Sequence, residues 1–192
     1  MSLTEAGPAA DPMPAGAASD ERARALVAQH FDFVWRLLRR LGIPEADVDD
    51  AAQQVFIVTT RRLHEIPLGS ERTFLYGTAL RSASTLRRNL RRRARVLEQG
   101  PADAEAPTRG PHEELEHRRA LALLDVVLHE LEDELREVFV LCEIEELTAP
   151  QVAGILMIPV GTVASRLRRA RQVFTEQLTR LKARRAQRGR VL

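Results

Sequence analysis

From Asp20 onward, apolar residues return every three or four positions. Leu26, Phe33, Leu37 and Leu41, flanked by Val34 and Leu38, predict a first helix, which Gly42 and Pro44 break. A second helix is expected from about Glu45 through Leu63, ended by Pro67 and Gly69. Ser70 is a suitable N-cap for a third, covering residues 71 to about 95. The periodicity then lapses over residues 97–114, "LEQGPADAEAPTRGPHEE", which read as a flexible linker. Beyond it, Leu121, Leu124, Val127 (or Leu128) and Leu131 share one side of a long helix, and further helices follow through Leu181. Runs with the alternation of strands are absent, so the expected class is all-α: two small helical domains, residues 20–96 and 115–183. Residues 1–19, rich in Ala, Pro and Gly, read as a disordered tail, and 184–192 as a basic one.

The pattern between Thr148 and Phe174 has a finer structure. Thr148 and Gln151 stand at capping-box spacing, with Pro150 in the first turn, where a missing N–H costs little. Val152, Ile155 and Leu156 give this short helix an apolar face, Met157 and Ile158 make a turn, and Pro159 opens the next helix. There Val163, Leu167, Ala170, Phe174 and Leu178 form one stripe, and Thr162, Ser165, Arg168, Arg169 and Gln172 the opposite one. Two helices, a tight turn and an arginine-bearing stripe make a helix-turn-helix, whose second helix suits the major groove. The competing reading is a charged face that is merely solvated.

Charge sharpens the picture. The net charge of the 192 residues is only +2, yet the charges are segregated. Residues 81–95 hold seven Arg and no acid, 112–147 hold twelve acids against three Arg, and 160–192 hold ten Lys or Arg and one Glu. Two basic surfaces separated by an acidic one suggest that the acidic block lies against the arginines of 81–95 and masks them in the free protein. The single cysteine, Cys142, excludes an intramolecular disulfide framework and fits a reducing compartment. No apolar run reaches the roughly 20 residues needed to span a bilayer, and the first residues lack the pattern of a secretion signal. The protein is therefore expected to be cytoplasmic, with no membrane insertion. No phosphate-binding glycine loop, nucleophile elbow or zinc-type histidine spacing is present, so no enzyme activity, metal or cofactor is expected. His117, His129 and Cys142 form only a conceivable metal site.

"ELREVFVLCEIEELTAPQVAGILMIPVGTVASRLRRAR", residues 134–171, resembles domain four of the extracytoplasmic-function (ECF) sigma factors, in the sigma-70 family. The resemblance implies that the second helix of the motif reads the −35 promoter element through Thr162, Ser165, Arg168 and Arg169. Ala164 stands where the family commonly has Lys or Arg, and Met157 where it often has a turn glycine. If position 157 needs a left-handed backbone, Met should cost about 1 kcal/mol there.

Residues 21–95 resemble domain two of the same family. "DVDDAAQQVFIVTTRRL", from Asp47, matches the helix that grips the clamp-helix coiled coil of RNA polymerase, which implies core-polymerase contacts at Asp47, Asp50, Gln53, Gln54 and Phe56. "SERTFLYGTALRSASTLRRNLRRRAR" matches the segment that melts and reads the −10 element, which implies DNA contacts at Tyr76, Arg81, Thr85, Arg87, Arg88 and Arg91. A single strand is best held by a basic groove together with aromatic or pocket contacts. Phe74 is read as core, whereas Tyr76 is open between core and base contact. The implied function is promoter recognition, duplex opening and transcription initiation, with core RNA polymerase and promoter DNA as partners; an anti-sigma factor is a further partner the family allows. The alternative is a free-standing helix-turn-helix regulator, which leaves the arginine-rich helix of the first half unexplained.

Overall fold

In the computed structural model, which describes residues 15–97 and 112–188, the first three helices close on one another. Side chains are described for 19–93 and 120–184; residues 98–111 of the expected linker, 1–14 of the first tail and 189–192 of the last lie outside the described residues, while 112–114 and 184–188 are helical. Helix α1 (Ala15–Arg40) begins within the stretch read as a tail and buries Leu26, Val34, Leu37 and Leu38, with Leu41 buried just past its end. It ends in a paired reverse hydrogen bond: Ile43 N–H donates to the Leu38 carbonyl (3.1 Å) and Gly42 N–H to that of Arg39 (2.9 Å). That geometry needs a left-handed residue, and Gly42 has φ +88°. Helix α2 (Glu45–Arg61) follows Pro44 and buries Val48, Ala51, Ala52, Val55 and Phe56 against α1 and α3. It stops short of Leu63, which instead sits in a 3₁₀ turn, Leu63–Glu65. Arg22 ties this turn down by donating to the carbonyls of Leu63 and Ile66 and to Glu71. Helix α3 (Glu71–Leu97) buries Leu75, Tyr76, Ala79, Leu80 and Ala83.

The second half starts with α4 (His112–His129), which buries Val127 and Leu128 but leaves Leu121 exposed. Leu131, expected on the same helix, is buried in the turn that follows it. Helix α5 (Asp133–Phe139) widens into a π-helical turn, Val140–Ile144, with Glu145 N–H donating to the Val140 carbonyl (3.0 Å). Glu146 then turns left-handed, with φ +56°. Helices α6 (Ala149–Leu156) and α7 (Val160–Arg188) complete the chain, α7 packing along α5 and α6. No strand occurs among the described residues.

The tightest helix packing lies within each half: α1 with α2, α2 with α3, and α5 with α7. Across the halves the contact is thinner, and a polar network joins the apolar core there. Its centre is Arg136, almost fully buried on α5. The guanidinium donates to the carbonyls of Leu128 (2.6 Å), His129 (2.9 Å) and Leu131 (2.9 Å), which leave the end of α4 without helical partners. It also reaches across to the Leu41 carbonyl in the first half (3.2 Å). Burial, and next the nearby Arg87 charge, pull its pKa down to about 10, so the side chain remains cationic at neutral pH.

This geometry sets two expectations for stability. Arg136→Ala takes one donor from each of four carbonyls, of which Leu41 keeps Arg87 and Leu128 keeps the Leu131 N–H, and breaking a buried charged hub of this kind costs about 3–5 kcal/mol. Urea unfolding of the full chain should show that loss. Met157 adopts φ +54° and is 82% exposed, so its side chain has little packing to lose. Left-handed strain of about 1–2 kcal/mol exceeds the entropic penalty of glycine, about 0.5–1 kcal/mol, so Met157→Gly should raise the unfolding midpoint slightly.

Candidate nucleic-acid interface

The helix-turn-helix is built by its own sequence. Thr148 N–H donates to Gln151 Oε1 at 2.8 Å, and the Thr148 hydroxyl donates to the same oxygen at 2.7 Å, which fixes the start of α6. Met157 makes the left-handed turn, and the Pro159 carbonyl receives the N–H groups of Thr162 (2.9 Å) and Val163 (3.1 Å), starting α7. On α7, Val163 and Ala170 are fully buried, Leu167 and Leu178 are half-buried, and Phe174 stacks on Phe139 with ring centroids 4.6 Å apart. The opposite stripe faces solvent: Ser165, Arg168, Arg169 and Gln172 are exposed, and Thr162 is half-buried. Ser165 returns its hydroxyl hydrogen to the Thr162 carbonyl (3.0 Å).

The four arginines between 166 and 171 divide into two pairs. Arg166 is bonded to Glu134, and Arg171 places two donors on Glu143 Oε1 (2.6 and 3.1 Å), so both tie α7 to the acidic segment before it. Arg168 and Arg169 project outward; Arg169 has only a long, exposed approach to Glu132 (3.8 Å), which is worth little. Ala164, also exposed, adds no charge to that face.

The residues expected to contact a −10 element are less uniform. Arg81, Thr85 and Arg88 are exposed on α3, and Arg81 lies beside Thr78 Oγ1 (3.4 Å). Arg91 is exposed and paired with Asp133 (2.9 Å). Arg87 is not at the surface: 5% exposed, it donates to the Leu41 carbonyl (2.6 Å) and to Glu137 (2.7 Å). Tyr76 is 2% exposed. Its hydroxyl donates to Glu145 Oε2 (3.0 Å), Arg72 Nε donates to it (3.2 Å), and its ring meets Phe33 edge-on at 5.0 Å. Burial, then the Glu145 charge, push the phenol up to about 12. Phe74, read as core, is half-buried and packed against the core, with the Arg62 guanidinium 5.5 Å from its ring centre.

On α2, Asp50, Gln53 and Gln54 are exposed on one face and Asp47 is half-buried. Phe56 lies in the core at 6% exposure, stacked on Phe31, and Phe31 is the aromatic that reaches the surface there. Sequence reasoning missed Phe31, and also Glu145, which gathers Arg40 (2.9 Å), Arg72 (3.3 Å) and Tyr76 from the first half. No local pattern announces Glu145, because its direction depends on the π turn before it.

Cys142 is half-buried, and burial, then Glu143, push its thiol pKa up, which disfavours the reactive thiolate. Among the described residues no cluster of His, Cys, Asp or Glu is arranged to hold a metal ion, and no helix is long and apolar enough to cross a membrane.

Comparison with known proteins gives this geometry a family. Sigma-70 region 2 matches residues 26–95, and sigma-70 region 4 matches residues 121–173. The ECF RNA polymerase sigma factor SigE of Mycolicibacterium smegmatis is 34% identical over 159 residues, 81% of this chain but only 61% of the relative. The RNA polymerase sigma factor NccH of Alcaligenes xylosoxydans xylosoxydans is 30% identical over 80% of this chain and 84% of its own. CnrH of Cupriavidus metallidurans, also an RNA polymerase sigma factor, is 32% identical over 76% and 81% respectively. Among solved structures, CnrH in complex with the cytosolic domain of CnrY aligns with a TM-score of 0.59 at 27% identity, covering 85% of this chain and 94% of that one. The sigma factor RpoE of Bartonella quintana, in complex with the anti-sigma factor NepR, shares the fold at the same TM-score and 19% identity, over 79% and 96% of the two chains. With region 2 accounting for the first half, a free-standing regulator is not favoured. The chain belongs to the ECF RNA polymerase sigma factors of the sigma-70 family.

Proposed function

We propose that the chain binds core RNA polymerase, spans the −10 and −35 elements of a promoter, and helps open the duplex, while making and breaking no bonds itself. The observation that carries this reading is the split within the arginine run of α7. Arg166 and Arg171 brace the helix, leaving Arg168 and Arg169 on an exposed polar stripe with Ser165 and Thr162. An exposed Arg on a groove-sized helix can place two donors on a guanine edge, for about 1–3 kcal/mol of discrimination.

In this reading residues 115–183 act at the −35 element and residues 20–96 act at the −10 element and on the polymerase, with 97–114 as the tether. Arg81, Thr85 and Arg88 meet the melted strand first, and Arg87, Arg91 and Tyr76 join once the halves separate. Asp47, Asp50, Gln53 and Gln54 offer acceptors to a basic polymerase surface, with Phe31 and Phe56 as the apolar edge beside them. The place of action is the cytoplasm, with the polymerase. An anti-sigma protein is a natural further partner, since the relatives CnrH and RpoE were solved with CnrY and NepR.

The test is transcription by sigma-free core polymerase over a library of random upstream sequences. Discrete starts should appear only with the protein, and Arg168→Ala or Arg169→Ala should each lower them about tenfold or more. Absence of new starts, with tight duplex binding by the protein alone, would point instead to a free-standing regulator.

A further inference from the structure

The acidic start of α5 lies where the arginines of α3 need a ligand. Asp133 approaches three guanidinium groups at once: Arg91 at 2.9 Å, Arg87 at 3.3 Å and Arg136 at 3.7 Å. Glu137 takes Arg87 at 2.7 Å, and burial raises its pKa, against which the Arg87 bond works. These carboxylates offer the same chemistry as phosphate oxygens: paired anionic acceptors matched to a guanidinium fork. The fork is not saturated, because Arg87 Nε is buried without a hydrogen bond despite the nearby Asp133. A cavity of about 700 Å³ opens at this seam, with Arg88 and Arg92 on one wall and Glu134 on the other. At the far end of the same junction, Glu145 closes over Tyr76.

We propose that this junction is an autoinhibitory clasp, in which Asp133 and Glu137 occupy the α3 arginines that single-stranded promoter DNA takes, while Glu145 fastens its far end through Arg40, Arg72 and the Tyr76 hydroxyl. The inference rests on the −10 reading of α3 and adds how that surface is regulated within the chain. The clasp sets ion pairs at the rim of an apolar core that the two halves share, so the ion pairs are the part a competing polyanion can reach. The outer pairs, Arg91 with Asp133 and Arg72 with Glu145, are exposed enough on the arginine side for salt to screen them, whereas the Arg87 pairs are buried. Together they favour the closed form without locking it.

The test compares the full-length protein with Asp133→Asn/Glu137→Gln, with Glu145→Gln, and with Glu130→Gln/Glu176→Gln as a charge-matched control away from the junction. Binding of a random-sequence single-stranded DNA oligonucleotide is read by fluorescence anisotropy, and the radius of gyration by small-angle scattering. Opening the clasp should tighten binding about tenfold, the factor expected when three contacts of ordinary strength are lost, and should expand the molecule. The control should do neither. Equal gains in the control would reduce the effect to net charge and overturn the clasp, as would expansion without tighter binding, or no expansion at all. If no form binds single strands, the −10 reading of α3 fails and the inhibitory role with it, while the scattering still reports whether the halves are held together.

Discussion

Two guanidinium groups from opposite halves of the chain converge on one carbonyl oxygen, that of Leu41 at the end of α1. Arg87 approaches at 2.6 Å and Arg136 at 3.2 Å. Like charges this close in a buried setting repel, so the arrangement stands only because Asp133 and Glu137 neutralise it and because the carbonyl end of a helix carries partial negative charge. The end of α4, the start of α5, the exit of α1 and the middle of α3 are all fixed by this one cluster. The mutual placement of the two domains thus couples this charged cluster to an apolar core that both share.

The interior was the legible part. Helical spacing marked the stripes that bury Val34, Leu37 and Leu38 on α1 and Val163 and Ala170 on α7, because one-sided burial leaves a period of 3.6 in any sequence. The helix-turn-helix was clearer still, since its capping residues, turn and proline act over a few positions. What periodicity could not convey was which polar residues the halves would take from each other. Tyr76 and Arg87 continue the stripe of Ala79, Leu80 and Ala83; Tyr76 packs on Phe33 within its own half, and the acids of the other half supply the polar partners, Glu145 and Glu137, that no spacing could name. Segregated charge anticipated that acids would meet the arginines of 81–95; it could not single out Arg87 and Arg91, because that choice depends on where α5 begins.

The arginines show why composition alone misleads here. Arg22 ties down a turn, Arg136 caps a helix, Arg166 and Arg171 brace α7, and Arg168 and Arg169 are left facing outward. Most of these jobs use the same property, a rigid fork of donors that stays charged when partly desolvated, which lysine would perform poorly. Structure and recognition draw on one residue type, and the neighbouring acids decide which arginine serves which role.

Gly42 carries a constraint of another kind. Its left-handed backbone closes α1, and a β-carbon there would overlap the Arg136 side chain from the other half. Space at position 42 and reach at position 136 are therefore a single shared volume. Enlarging the first would strain its left-handed backbone and also displace the Arg136 guanidinium from the carbonyls that it caps. Two positions remote in the chain share one volume, so substitutions at them are expected to be non-additive.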